Sequence, residues 1–122
     1  MVKQIRQRKK FGRYSVEEQM NDDGSTCYFV MCGGVPWGPA VVFEVTADFI
    51  AEALDLEDIQ LRARQAAAQG RPVEHKPEWV VTRRGSVWGP AVVLEPTSQR
   101  IAAALDREDA ALFPPASSTP VP

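Results

Sequence analysis

The chain has little of what marks the specialised protein classes. It has two cysteines and one histidine in 122 residues, so a disulfide framework and a structural zinc site are both disfavoured. No stretch approaches the run of about 20 apolar residues that spans a bilayer, and no apolar signal-peptide core follows the basic N-terminus. We therefore expect a small soluble protein in the cytoplasm, without membrane contact.

Motifs typical of catalysis are also missing. Gly33-Gly34 is better explained by a hairpin turn than by a phosphate-binding loop, and no Gly-x-Ser-x-Gly elbow occurs. Cys27 and Cys32 lie five residues apart on one predicted strand, so they point to opposite faces and cannot bridge each other. The single histidine, His75, lies in a predicted linker. We expect a binding protein rather than an enzyme, with no cofactor and no metal.

A repeat dominates what is present. The hexapeptide Trp-Gly-Pro-Ala-Val-Val occurs at residues 37–42 and 88–93, and about two thirds of residues 37–61 recur at 88–112. The recurring positions beyond the hexapeptide include Glu44/Glu95, Thr46/Thr97, Ile50/Ile101, Leu54/Leu105, Asp55/Asp106, Glu57/Glu108 and Asp58/Asp109. A duplicated unit of this size predicts one compact fold of two related halves, with an approximate two-fold axis between them.

Each unit is expected to form two strands and a helix. Residue types and alternation predict strands at residues 11–20, 25–32, 35–45, 78–83 and 86–94. Proline cannot donate to a sheet, so Pro39 requires a bulge or an edge. Thr46 and Thr97 are expected as helix N-caps, and a second capping pattern from Asp55 to Asp58 predicts a bend or restart in the first helix.

The predicted fold class is α+β: two ββα repeats plus an N-terminal strand, forming an antiparallel sheet with helices on one face and an internal pseudo-two-fold. We expect a flexible basic arm at 1–10 and a single domain at 11–113, with repeats at about 25–70 and 76–113. Residues 114–122, rich in proline, serine and threonine, are expected to be a disordered tail.

Charge is unevenly distributed, although the formal net charge is only −2. Six of the 14 basic residues precede Glu17, the first of the 16 acidic residues, so a basic segment precedes an acidic body. A nucleic-acid-binding protein would need this segment to join a basic face. The candidate contacts for that alternative are Arg6, Arg8, Lys9, Lys10, Arg13, Arg83 and Arg84.

The duplicated Trp-Gly-Pro strands are the leading candidate for a binding surface. A tryptophan on a bulged strand is a rigid interface anchor, although Trp37 and Trp88 could instead fill the core. Strands disfavour glutamate, so the two glutamates expected to end the return strands join the candidate set. The predicted binding residues are Trp37, Gly38, Pro39, Glu44, Trp88, Gly89, Pro90 and Glu95. The acids at 55–58 and 106–109 are expected in first helical turns.

These observations predict a binding or adaptor protein that uses a surface or groove centred on the Trp-Gly-Pro strands. Its partner is another protein or a second copy of the chain, and a homodimer fits the exposed strand edges expected in a short chain. One alternative is a small apolar ligand in a cavity lined by Phe43, Phe49, Leu94 and Ile101. The other alternative is nucleic-acid binding through the basic arm.

Overall fold

The computed structural model describes residues 5–113, with side chains from residue 9 onward. In chain order, its elements are β1 (Ile5–Phe11), β2 (Tyr14–Met20), β3 (Thr26–Cys32), β4 (Val35–Pro36), α1 (Glu44–Ala67), β5 (Trp79–Arg83), β6 (Ser86–Val92) and α2 (Glu95–Leu112). We call β1 to α1 the first half and β5 to α2 the second half. The tail predicted at 114–122, and residues 1–4, lie outside the described residues.

The strands form two antiparallel sheets, one with the order β1-β2-β3-β4 and one with β5-β6. This confirms the α+β class and corrects the single sheet expected from the sequence. Strand β1 occupies most of the predicted flexible arm, and the turn at Gly12-Arg13 pairs it with β2 in a hairpin. Charged side chains are typical of a solvated arm, but they are also typical of an edge strand such as β1.

A two-residue bulge interrupts strand pairing at the first Trp-Gly-Pro. The Trp37 N–H donates to the Val30 carbonyl at 2.7 Å, and Val41 then exchanges two hydrogen bonds with Tyr28, each 2.8 Å. The four residue steps from Trp37 to Val41 therefore lie opposite only two residue steps on β3, from Val30 to Tyr28. Gly38, inside the bulge, has a φ of 87°, which glycine adopts without strain.

The second copy has the same irregularity. Trp88 pairs with Val81, and Val92 pairs with Trp79, so four steps along β6 again match two along β5. Gly89 lies inside this bulge with a φ of 75°. The bulge predicted from Pro39 is confirmed, and the duplicated sequence makes it twice.

Both helices begin earlier than the sequence suggests. The N-cap residues are Phe43 and Leu94, neither with a side-chain cap, whereas Thr46 and Thr97 lie buried inside the first turns. Helix α1 runs continuously through the acids at 55–58, so the predicted restart is wrong. The predicted N-caps are wrong, because the N-cap residue of each helix lies three positions earlier.

One hydrophobic cluster joins the two halves. The first half contributes Val16, Val30, Ile50 and Leu54 among others, and the second contributes Val81, Trp88, Ile101 and Leu105. Helix α1 packs against α2, and each helix also packs on strands of its own half. The sequence predicts this shared core, because neither sheet could cover its apolar face alone. The approximate two-fold axis stays a prediction.

Candidate functional site: the contact between the halves and its groove

The two Trp-Gly-Pro segments meet where the halves join. The rings of Trp37 and Trp88 lie with centroids 6.0 Å apart and planes tilted by 53°, a favourable arrangement for aromatic pairs. A Cβ on Gly38 would lie 3.3 Å from the Trp88 ring and 3.3 Å from the Gly89 Cα; one on Gly89 would lie 3.3 Å from the Trp37 ring. Each tryptophan therefore covers the glycine of the other copy.

The two tryptophans differ in exposure. Trp88 is buried, with 5% of its surface exposed, and Trp37 is half-buried against the core. Both rings therefore serve mainly to pack the halves together. The exposed residues of these segments are Pro39 and Pro90.

A buried glutamate from each helix binds the start of the other helix. Glu57 Oε2 accepts hydrogen bonds from the Val93 and Leu94 N–H groups at 3.1 and 2.8 Å. Glu108 Oε1 accepts from the Val42 and Phe43 N–H groups, both at 2.8 Å. These four donors belong to the N-cap residues Phe43 and Leu94 and to the residues before them, so each glutamate holds the backbone where the other helix begins.

The role of these glutamates differs from the expected one. The acids at 55–58 and 106–109 lie well inside the helices, not in first turns, because the helices begin at Glu44 and Glu95. A signal for the true role was present in the sequence. Glu57 follows Ile50 and Leu54 at helical spacing, and Glu108 follows Ile101 and Leu105 in the same way, so each acid occupies a core-facing position.

Arginines neutralise the acid next to each of these glutamates. Arg13, from the β1–β2 turn, donates from Nε and Nη2 to Asp58 at 2.7 and 3.0 Å, and this hydrogen bonding raises the arginine pKa. Arg83 donates to Asp109 and also reaches Glu108 Oε2 at 2.7 Å, while Arg84 donates to Asp109 at 2.7 Å. Hydrogen bonding from Arg83 lowers the pKa of Asp109.

A groove of about 560 Å³ lies between the halves on the side of α2. We call it the inter-half groove; its lining comprises Pro39, Ala40 and Val42 from the first half and Arg83, Arg84, Ser86, Val87, Trp88, Glu108, Leu112 and Phe113 from the second. Large apolar side chains here remain open to solvent: Val42 is 45% exposed, Val87 64% and Phe113 61%. Arg84 stacks over the Phe113 ring at 4.5 Å from its centroid.

The predicted binding residues divide between the core and the surface. The structure brings Pro39 and Trp88 to the inter-half groove, while Gly38 and Gly89 lie in the contact between the halves. Glu44 and Glu95 do not end strands, as expected, but are the first residues of α1 and α2, where a carboxylate complements the helix dipole. Neither glutamate lines the inter-half groove.

The residues of the alternative sites are dispersed. Leu94 and Ile101 are buried, whereas Phe49 is 44% exposed and has the Arg107 guanidinium 5.4 Å from its ring centroid. Arg13 is paired with Asp58 on one helix, and Arg83 and Arg84 are paired with Asp109 on the other, so an acid offsets each cation. Lys9 is likewise paired with Asp48. Nucleic-acid binding through a joint basic face stays a prediction.

Within residues 5–113, no cluster of three or more metal-ligating side chains occurs. No helix in that range is long and apolar enough to cross a membrane. Comparison of the chain with models of protein families, with curated proteins and with solved structures found no match.

Proposed function

We propose that this chain is a non-enzymatic binding module, and that its inter-half groove accepts an extended, apolar segment of a partner protein. The observation that carries the proposal is that exposed apolar side chains from three separate parts of the chain lie around one groove. Val42 precedes α1, Val87 lies on β6 and Phe113 follows α2, yet all three line one groove and are each about half exposed or more. Isolated exposed apolar residues are ordinary, but a cluster around a groove is typical of interaction sites.

The walls of the groove are held in place before any partner arrives. Arg83 is anchored by Glu108 and Asp109, and Arg84 is held between Asp109 and the Phe113 ring. Glu108 in turn fixes the backbone at Val42. A partner therefore has few side chains to immobilise, which reduces the entropic cost of binding.

The chemistry of the lining favours binding over catalysis. The acids of the groove, Glu108 and its neighbour Asp109, already accept hydrogen bonds from backbone N–H groups or arginines. Groups held in this way maintain geometry and are poorly placed to exchange protons with a substrate. The exposed apolar side chains instead match aliphatic or aromatic residues of a peptide, whose burial would supply the affinity.

The test is selection of linear peptides from a random phage-displayed library on the immobilised chain, followed by amide chemical-shift mapping with a synthetic enriched peptide. We expect apolar peptides whose shifts centre on Val42, Val87 and Phe113. The Val87→Glu variant should weaken binding at least tenfold, because it places a charge in the apolar rim. Ile59→Glu is the matched control, since Ile59 is 46% exposed on α1 and does not line the groove.

A chain that ends at Phe113 should be tested in parallel, because the next residues of the sequence are proline-rich and follow directly on the groove. Tighter peptide binding by the shortened chain would identify these residues as a competitor for the same site. The proposal fails if no peptide is enriched, if the shifts map elsewhere, or if both glutamate variants weaken binding equally.

A further inference from the structure

The contact between the halves is self-complementary, because each half contributes the same groups and receives the same groups. Each supplies a buried glutamate and receives one at its own helix start: Glu57 binds at Leu94, and Glu108 binds at Phe43. Each also supplies a tryptophan that covers the glycine of the other copy. Nothing in these contacts depends on the two halves belonging to one chain.

The segment that connects the halves determines whether a first half packs against the second half of its own chain or against that of another copy. Residues 68–78 connect α1 to β5, and they turn back at Gln69 and Gly70, both with positive φ. The Gln65 side chain holds this return, donating to the Arg71 carbonyl at 2.8 Å and accepting from the Val73 N–H at 3.3 Å. His75 then reaches the cleft lined by Asp58, Leu61 and Arg62, near the middle of α1.

We infer that this contact can also close between two copies of the chain, each giving its second half to the first half of the other. In such an exchanged dimer every glutamate and tryptophan contact between the halves is retained, and only the path of residues 68–78 and the contacts of that segment change. Each inter-half groove would then be built from both chains, with Pro39 and Val42 from one copy and Val87 and Phe113 from its partner. The partner is therefore a second copy of this chain.

The length of the connecting segment sets the balance. A short flexible linker presents the second half at an effective concentration of about millimolar, which favours closure within one chain at lower protein concentrations. Asp58 and Ala67 are nine residues apart on α1, about 13 Å along the axis. The start of β5 lies beside the Asp58 end of this span, because the Glu78 N–H donates to the Val92 carbonyl and Glu57 binds the N–H of the next residue, Val93. The return path must cover about that distance, so a linker that cannot do so should force closure between chains.

The test is deletion of residues 69–77. Two residues, Ala68 and Glu78, would then remain between the helix and β5, and the three Cα–Cα steps from Ala67 to Trp79 span at most about 11 Å. Both positive-φ turn residues would be gone as well. We expect a folded variant with native helix content and twice the monomer mass by light scattering. Adding Gly38→Val to the deletion, which fills the contact beneath Trp88, should remove the dimer.

A second measurement uses the unmodified chain. Copies of natural isotope composition and ¹⁵N-labelled copies are mixed, unfolded, and refolded together at millimolar concentration, then diluted and examined by native mass spectrometry. Dimers of mixed mass that dissociate slowly on dilution are expected. The inference is overturned if the deletion variant is folded and monomeric. It is also overturned if that variant does not fold and the unmodified chain yields no mixed dimer.

The inference is separable from the proposed peptide site. The Val87→Glu change should weaken peptide binding at least tenfold while leaving the deletion variant dimeric, because Val87 lies outside the glutamate and tryptophan contacts. Loss of the dimer with retained peptide binding would defeat the inference alone. Retention of the dimer without any peptide binding would defeat the proposed function alone.

Discussion

The two halves make the same contacts with each other but place them in different electrostatic surroundings. Glu108 accepts from two backbone N–H groups through one oxygen and from Arg83 through the other. Glu57 accepts from two backbone N–H groups through a single oxygen, and among the described side chains no cation contacts it. The residue equivalent to Arg83 is Cys32 in the first half. The two halves therefore share the geometry of the contact but differ in its charge balance.

Changes at the two glutamates should show this difference most strongly. Glu108→Ala leaves two backbone N–H groups without their acceptor and removes one of the two acids that hold Arg83, whose side chain is 14% exposed, so we expect a loss of about 3–4 kcal/mol. Glu57→Ala should cost less, about 2–3 kcal/mol, because losing its N–H contacts is partly offset by removing a buried charge without a counter-ion. Urea unfolding of each variant measures both free energies.

The glutamine variants sharpen the same comparison. Glu57→Gln keeps a carbonyl oxygen for the two N–H groups, so its unfolding free energy should lie within about 1 kcal/mol of the unmodified chain. In Glu108→Gln the amide nitrogen would face Arg83, a donor opposed to a donor, and the loss should be larger. Equal losses for the two glutamine variants would show that the arginine contact has no energetic weight.

The two glycines of the contact should behave alike. Gly38→Ala and Gly89→Ala each force a side chain into positive φ and into atoms 3.3 Å away, so each should lose about 2–4 kcal/mol. Gly34→Ala is the matched control, because its φ is 81° but no atom lies within 4 Å of its added Cβ. It should lose only about 1 kcal/mol. Thermal unfolding compares all three; a control loss as large as the others would contradict close packing between the halves.

Removing the arginine that lies near each glutamate should lower the unfolding free energy by different amounts. Arg83→Met keeps an apolar stem but removes hydrogen bonds to Glu108 and Asp109 at a site only 14% exposed, so we expect a loss of about 2 kcal/mol. Arg13→Met removes a pair with Asp58 whose arginine side chain is 63% exposed, and solvent screening limits that loss to about 1 kcal/mol or less. Salt dependence of urea unfolding separates the two, since only the Arg13 pair should weaken markedly at high salt.

The sequence predicts the parts of the fold that depend on local pattern. The bulges follow from Pro39 and the glycine before it, and the shared core follows from Ile50, Leu54 and their counterparts at helical spacing. The helix starts could not be predicted from local pattern. Thr46 and Thr97 have N-cap chemistry, but the N–H groups of the actual N-cap residues donate to glutamates far away in the sequence. Residue preference describes local alternatives and cannot include an acceptor more than 30 positions away.

The candidate site shows the same division. Repetition draws attention to Trp37 and Trp88, but identity between copies does not reveal whether a ring faces solvent or the other copy. The inter-half groove depends on Val42, Val87 and Phe113, and no repeat or motif unites these residues. They come together only when the second half folds back onto the first. Glu57 and Glu108 could have been recognised, because a charged residue at a core-facing helical position is visible in the sequence itself, but both were expected in first helical turns.

The smallest expected effect concerns alkaline pH and the first half. Burial raises the pKa of Tyr14 to about 12, so the folded state favours the neutral phenol. Its stabilising contribution is complete below the unfolded pKa of about 10 and is lost as the pH rises through that of the folded state. Tyr14→Phe should therefore lose less unfolding free energy than the unmodified chain between pH 9 and 11 (about one unit either side of the unfolded value).

In the second half, Asp109 should make the unfolding free energy depend on pH in the acid range. The acid and alkaline limbs of a plot of unfolding free energy against pH therefore report on different halves. The lowered pKa of Asp109 stabilises the fold above the unfolded value of about 4, and this contribution is lost as the pH falls through the folded pKa. Asp109→Asn should flatten the acid limb and leave the alkaline limb intact, whereas Tyr14→Phe should do the reverse. Urea unfolding across the pH range measures both limbs. If either variant altered the acid and alkaline limbs equally, the pH response could not be assigned to one half. Each titration would then affect the whole fold through the shared core.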